Sequence, residues 1–111
     1  MTTLRIDLET YSDVDLRSAS VHKYVESKEF QVLLFAYAFD EQPVRVIDLA
    51  QGEQIPIEVR TALFDQKVIK TAYNAAFEIT CLNKHFGERL DVRQWRCTSV
   101  QALYLGMPRA G

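Results

Sequence analysis

The chain has 111 residues, 48% of them hydrophobic and 25% charged, and it carries a formal charge of −2. This size and composition are those of one soluble globular domain with an ordinary core. A stand-alone nucleic-acid binder usually carries a clear excess of basic residues, and this chain has none. No apolar run reaches the roughly 18 residues of a membrane span, and the start of the chain has no signal segment. The two cysteines lack the spacing of a zinc site, and we expect them to be reduced thiols in the cytoplasm. We also expect no contact with a membrane.

The first half of the chain predicts three strands. Apolar residues occupy every second position from Leu4 to Leu8, and side chains two apart on a strand share a face. A polar connection with a short helix near residues 21–25 follows. Residues 30–39 are apolar at nearly every position, which predicts an interior strand covered on both faces. Residues 44–49 form the returning arm of a hairpin.

The second half predicts helices between shorter strands. The predicted elements are a helix over 56–66 with Pro56 in its first turn, a strand over 68–73, a helix over 75–87 ended by Gly87, a strand over 94–97 and a helix over 98–104. This order predicts an α/β fold: a mixed sheet made of a three-stranded antiparallel meander and parallel strands, with flanking helices.

Two acidic residues lie side by side on the polar face of the first strand, Asp7 and Glu9. Two carboxylates that lie side by side repel each other unless a cation lies between them or bulk water solvates both. Hard divalent cations take such oxygen ligands, but an ordinary exposed strand face carries the same residues. The pattern alone leaves both interpretations open.

A third acidic residue lies where a predicted strand joins a predicted helix. Asn74 is a favoured N-cap residue, and Glu78, four residues later, projects from the same side of the helix start. Glu78 either interacts with the helix dipole or brings a third carboxylate to Asp7 and Glu9.

The two motifs together resemble those of the DEDD 3′–5′ exonucleases, which have the ribonuclease-H-like fold. Residues 7–10 (Asp-Leu-Glu-Thr) resemble the first motif, and residues 74–78 (Asn-Ala-Ala-Phe-Glu) resemble the second. Residues 30–49 and 95–108 are further similar to the proofreading domain at the N-terminus of phage-type family A DNA polymerases. The resemblance covers residues 4–111.

The resemblance implies a two-metal phosphodiester hydrolase that uses Mg²⁺ or Mn²⁺ and acts on the 3′ end of single-stranded DNA. Asp7, Glu9 and Glu78 would be both the metal ligands and the catalytic residues. Asp7 would bridge the two ions, Glu9 would bind one of them, and Glu78 would contact the other directly or through water.

Four more residues are assigned to the substrate by the same resemblance. Thr10 and Tyr11 would lie near the terminal nucleotide, and Asn74 would orient neighbouring groups at the helix start. Phe77 would either stack on a base, because aromatic faces accept any base, or pack in the core.

The chain departs from the family pattern in two places. The second motif ends in Glu78, where the family often has Asp, and no Tyr- or His-x-x-x-Asp third motif follows Thr98. We therefore interpret residues 1–111 as a single, partial exonuclease domain of a DNA polymerase, weak or inactive by itself. Its expected partners are a missing C-terminal exonuclease region and a polymerase domain, in the cytoplasm of a bacterial host.

Two alternative functions stay open. One is a non-catalytic nucleic-acid-binding or assembly module of the same fold, and the other is a stand-alone DEDD exoribonuclease. Because missing elements would leave apolar surface uncovered, a homo-oligomer that covers it is also predicted. His85 and Asp91 are expected to lie outside the catalytic site.

Overall fold

The computed structural model describes residues 2–99, which form a five-stranded sheet with α-helices packed on it. The elements in chain order are β1 (Thr3–Tyr11), α1 (Val21–Glu26), β2 (Gln31–Phe39), β3 (Arg45–Asp48), α2 (Ile57–Phe64), β4 (Ile69–Ala72), α3 (Ala75–Phe86) and β5 (Trp95–Cys97), with short 3-10 turns at Leu49–Gln51 and Val92–Gln94. None of the helices described is long and apolar enough to cross a bilayer. Most of the helix predicted over residues 98–104 lies outside the described residues.

The strands lie in the order β3-β2-β1-β4-β5. The first three form an antiparallel meander, and β4 and β5 are parallel additions on the other side of β1. The predicted mixed α/β sheet is therefore confirmed. β1 and β4 pair over only three residues, ending at Arg5 opposite Thr71. Within residues 2–99, no strand pairs with that side of β1 beyond Arg5.

The core lies on one face of β1, as its alternation predicted. Leu4, Ile6 and Leu8 are buried, while the polar residues between them are exposed. Phe35 of β2 lies opposite Leu8, and Leu82 of α3 packs in the same buried cluster. Each such side chain contributes roughly 1.5–3 kcal/mol when it is fully removed from water, so this face holds the helices on the sheet.

A β-bulge interrupts the pairing of β1 and β2. The register shifts after the Glu9–Leu34 pair, so that Thr10 pairs with Val32 and Leu33 is the extra residue. An extra residue reverses the alternation of side chains along a strand, and Val32 is thereby turned to the buried face. The apolar run that was predicted to be covered on both faces is well buried on one face and mostly half-buried on the other.

The start of α2 differs from the prediction. Pro56 is the N-cap residue with an extended ψ of 145°, and the helix begins one residue later, at Ile57. The carbonyl of Pro56 accepts hydrogen bonds from the N–H groups of Val59 and Arg60, both at 3.0 Å. The proline therefore stabilises the first turn through its acceptor from just outside the helix.

β4 carries a buried lysine. Lys70 is 2% exposed, and its Nζ donates a hydrogen bond of 2.8 Å to the main-chain oxygen of Asp65, at the end of α2. Burial lowers the pKa of Lys70, and the charges of Asp65 and Asp91 act against that change. The ammonium group thus ties the end of α2 to β4 from inside the protein.

Gly87 ends α3 in the left-handed conformation, with φ 69° and ψ 22°, as the sequence predicted. A Cβ at this position would meet no atom within 4 Å, so a substitution strains only the backbone. We expect Gly87→Ala to lower the free energy of unfolding by about 1 kcal/mol, measured by urea denaturation. Gly87→Asn should lower it less, because Asn tolerates this conformation; equal losses in the two variants would contradict the explanation.

Candidate active site

β1 presents Asp7 and Glu9 on its exposed face, just beyond the point where its pairing with β4 ends. Ligands of α/β proteins commonly bind at the carboxyl ends of parallel strands, because the following segments diverge there and leave a crevice. Across β2, Asp7 lies opposite Ala36 and Glu9 opposite Leu34. The neighbouring strand therefore offers neither carboxylate a counter-charge.

α3 brings Glu78 to the same edge of the sheet. The helix begins directly after β4, and the N–H of Glu78 donates to the carbonyl of Asn74 at 3.2 Å, which places Glu78 in the first turn. Helical spacing puts Glu78 on one face with Ala75 and Leu82. Glu78 is consequently buried, with only 6% of its surface exposed.

The environment of Glu78 is unfavourable for a lone carboxylate. Burial raises the pKa of Glu78 from 4.5 to about 7; a hydrogen bond from its own main chain acts against the rise, and the nearby charge of Asp7 adds to it. Its Oε2 is buried without a hydrogen-bond partner. A buried, unpaired oxygen beside a second carboxylate is a costly arrangement, and a divalent cation between Asp7 and Glu78 would relieve it. These residues therefore fit the predicted metal.

The three predicted ligands do not form a closed set. In the part of the chain that the structure describes, no group of three or more His, Cys, Asp or Glu side chains is arranged to hold a metal ion. Asp7 and Glu9 face solvent, whereas Glu78 faces the interior. The charge of Asp7 contributes to the raised pKa of Glu78, and the three-residue ligand set stays a prediction.

Tyr24 of α1 contacts two of the residues assigned to the substrate. Its hydroxyl lies 2.8 Å from Oγ1 of Thr10, and its ring centroid lies 6.1 Å from that of Phe77. Phe77 is half-buried, so it packs against Tyr24 and keeps part of its surface accessible. The sequence analysis did not single out Tyr24; the available signal was the one aromatic residue of a short helix that Ser20 caps.

The other two substrate residues are exposed. Tyr11 is 47% exposed at the end of β1. Asn74 occupies the predicted N-cap position of α3, but its side chain makes no capping hydrogen bond. Its main-chain carbonyl instead accepts from the N–H groups of Phe77 and Glu78. The roles of Tyr11 and Asn74 toward substrate stay predictions.

A hollow of about 260 Å³ adjoins Asp7. It is lined in part by Arg5, Thr71, Tyr73 and Thr98. The hollow places one cationic side chain next to the acidic residue, at the edge where β1 and β4 separate. Such an arrangement offers room and charge for a phosphate group beside the predicted metal ligand Asp7.

Asp91 and His85, which were expected to lie outside the catalytic site, have contacts of their own. Asp91 makes a close ion pair with Arg93, with 2.6 Å between Oδ2 and Nη2, and the hydrogen bonds from Arg93 lower the pKa of Asp91 to about 2. His85, late in α3, packs edge-on against Phe86 with 5.2 Å between the ring centroids.

Comparison with known proteins gives a relative for nearly the whole chain. No family model matches. A DNA polymerase of Bacillus phage SP02 is 59% identical over 108 residues, which are 97% of this chain. Over these residues, the chain is a homologue of a phage DNA polymerase. The match covers 17% of that polymerase, so the chain spans about a sixth of its relative's length.

Solved nucleases share the fold of this phage-polymerase homologue. Brucella melitensis NrnC bound to pGG superposes with a TM-score of 0.69 at 17% identity, over 98% of this chain and 48% of that one. The apo form of a nuclease superposes with a TM-score of 0.67 at 19% identity, over 98% and 47% of the two chains. The chain thus has the ribonuclease-H-like mixed α/β fold that was expected.

Proposed function

We propose that this chain is the 3′–5′ exonuclease region of a DNA polymerase and hydrolyses phosphodiester bonds at the 3′ end of single-stranded DNA with two Mg²⁺ or Mn²⁺ ions. The observation that carries the proposal is the buried carboxylate of Glu78, whose Oε2 lacks a hydrogen-bond partner beside Asp7. The homology to a phage DNA polymerase and the fold shared with nucleases support it.

Each residue of the proposed site has a role that follows from its position. Asp7 and Glu9 would hold the ions from the exposed face of β1, and Glu78 would hold them from the start of α3. Bound ions would supply an activated water and stabilise charge on the leaving oxygen. Arg5, exposed beside Asp7, would attract the phosphate of the terminal nucleotide.

The proposal extends to the longer protein that the relative indicates. There, a 3′ end displaced from a polymerase site would be shortened by this region, which is proofreading, in the cytoplasm of a phage-infected bacterium. The C-terminal exonuclease region and the polymerase domain remain the proposed partners. A homo-oligomer stays a prediction, for which exposed Val44 and Val46 offer apolar surface.

The test is a cleavage assay on the 111-residue chain. We expect slow, stepwise shortening from the 3′ end of a 5′-labelled single-stranded oligodeoxynucleotide in Mn²⁺, and none in EDTA. A circular single strand is the matched control, because it has no 3′ end and an exonuclease leaves it intact. The same sequence as RNA separates the deoxyribonuclease from the stand-alone exoribonuclease. Absence of both cleavage and Mn²⁺-dependent binding of the linear strand would contradict the proposal.

A non-catalytic module is the second candidate function. It is favoured by one observation: within residues 2–99 the acidic side chains do not form a closed ligand set. This candidate predicts binding of single-stranded DNA that is equal in Mn²⁺ and in EDTA, without cleavage. The two candidates therefore differ in whether the metal changes affinity.

A further inference from the structure

Tyr24 lies at the junction of three elements that surround the candidate site. It belongs to α1, is 7% exposed, and touches the end of β1 through Thr10 and the first turn of α3 through Phe77. Phe30 closes the other side of its ring, edge-on, with 5.7 Å between the ring centroids. Thr10 follows Glu9 in the chain, and Phe77 precedes Glu78. The contacts of Tyr24 with Thr10 and with Phe77 are thus each one residue away from a predicted metal ligand.

A second set of hydrogen bonds fixes the same junction. Oγ of Ser12 donates to the main-chain oxygen of Tyr24 at 2.8 Å, and the N–H of Val14 donates to that Oγ at 3.2 Å. The end of β1 is therefore held to α1 from both the side chain and the main chain of Tyr24. The β-bulge shifts the register between Glu9 and Thr10, and Thr10 and Tyr11 still pair with β2 beyond it. The contacts with Tyr24 therefore add to the order that the sheet provides at this end of β1.

We propose that Tyr24 is a positioning residue for the 3′-terminal nucleotide. Its hydroxyl fixes the rotamer of Thr10, and its ring fixes Phe77, so that both are in place before substrate arrives. A site prepared in this way spends less of its binding energy on ordering side chains. The inference rests on the proposed function, because Thr10 and Phe77 are the residues assigned to that nucleotide.

The test compares Tyr24→Phe, Thr10→Val and the double variant in the 111-residue chain. Tyr24→Phe keeps the ring contacts and removes only the hydroxyl, and Thr10→Val removes the other partner of the same hydrogen bond. Affinity for a labelled single-stranded oligodeoxynucleotide is measured by fluorescence anisotropy in Ca²⁺, and KM and kcat are measured in Mn²⁺. Tyr37→Phe is the matched control, because it removes a hydroxyl from another buried tyrosine, whose ring packs against Phe35 and Phe39.

We expect each single variant to lose affinity by about three- to tenfold, the usual cost of ordering one side chain on binding. KM should rise by the same factor while kcat changes little, since ground-state and transition-state binding are lost together. The double variant should lose no more than either single variant, because both remove one interaction. Tyr37→Phe should bind like the wild type.

Two outcomes overturn the inference, and they are distinguishable. Tyr24 has no positioning role if the wild type binds the oligodeoxynucleotide in the presence of metal and Tyr24→Phe binds it equally well. The same conclusion follows if the losses of affinity in the two single variants multiply in the double variant. If the wild type shows no metal-dependent binding or cleavage, the proposed function fails and the inference fails with it. Melting curves of all variants identify any loss that comes from unfolding.

Discussion

Mn²⁺ is expected to raise the melting temperature of the wild-type chain, and Asp7→Asn is expected to abolish that rise. A metal that binds only the folded state stabilises it, by about 2.7 kcal/mol at a hundredfold excess over the Kd, which is roughly 10 °C for a chain of this size. Asp7 is the exposed carboxylate whose charge adds to the raised pKa of the buried Glu78. Without its charge, the cation loses a ligand and the residual effect should be small.

The same substitution should lower any exonuclease activity by about 100-fold or more, because even partners outside the metal's own ligand shell are worth 10–100-fold. In the absence of metal, Asp7→Asn should leave stability unchanged or slightly higher, since it removes a charge that repels Glu78. Unchanged or higher stability of the metal-free variant indicates the loss of a metal ligand, whereas misfolding would lower that stability.

The matched control for Asp7→Asn is Glu41→Gln, which removes one exposed carboxylate from the β2–β3 connection, near the start of β1. Its melting temperature should respond to Mn²⁺ as the wild type does. Differential scanning fluorimetry over a Mn²⁺ titration provides the measurement. An unchanged Mn²⁺ response in Asp7→Asn would show that the metal, if it binds, is held elsewhere.

Glu78→Gln is expected to make the metal-free protein more stable at neutral and alkaline pH. The pKa of Glu78 is about 7 in the folded chain, against 4.5 as its ordinary value, so the folded state binds the proton more tightly. That contribution to stability is fully present below about pH 4.5 and is lost as the pH rises through 7. The full difference corresponds to about 3 kcal/mol.

Gln cannot ionise, so the variant should lack this part of the pH dependence. Urea denaturation in EDTA from about pH 4.5 to pH 8 is the measurement. The free energies of wild type and variant should be similar at the acidic end and diverge by up to about 3 kcal/mol at the alkaline end, with Gln the more stable. If the free energies of unfolding of the two proteins changed with pH in parallel, the raised pKa of the buried Glu78 carboxylate would be contradicted. Glu41→Gln should follow the wild type throughout.

The sequence predicted those features of the fold that depend on local pattern. The alternation around Leu4 gave the correct buried face of β1, and Gly87 gave the correct end of α3, because both follow from short-range periodicity and backbone conformation. The boundary at Pro56 was wrong by one residue, since the residue can serve as the N-cap as well as it can open the first turn. Which of these two positions the proline occupies depends on the direction from which the preceding residues reach the helix.

The features of the site that depend on tertiary contacts were less accessible. That Asp7 and Glu78 come to the same edge followed from the order of elements and the resemblance, but the burial of Glu78 is set by how α3 rotates on the sheet. The contact of Tyr24 with Thr10 depends on how α1 packs against the sheet, which no periodicity in β1 reveals. Neither could be read from residue spacing alone.

The short parallel pairing of β1 with β4 has a consequence for the order in which the chain folds. The meander that carries Asp7 and Glu9 is built from neighbouring segments, whereas Glu78 reaches them only after a crossover of roughly 65 residues has closed. Long closures are slow because their chain entropy is lost before contacts compensate for it. We therefore expect the two acidic residues of β1 to be in place early in folding, and Glu78 to join them at a late step.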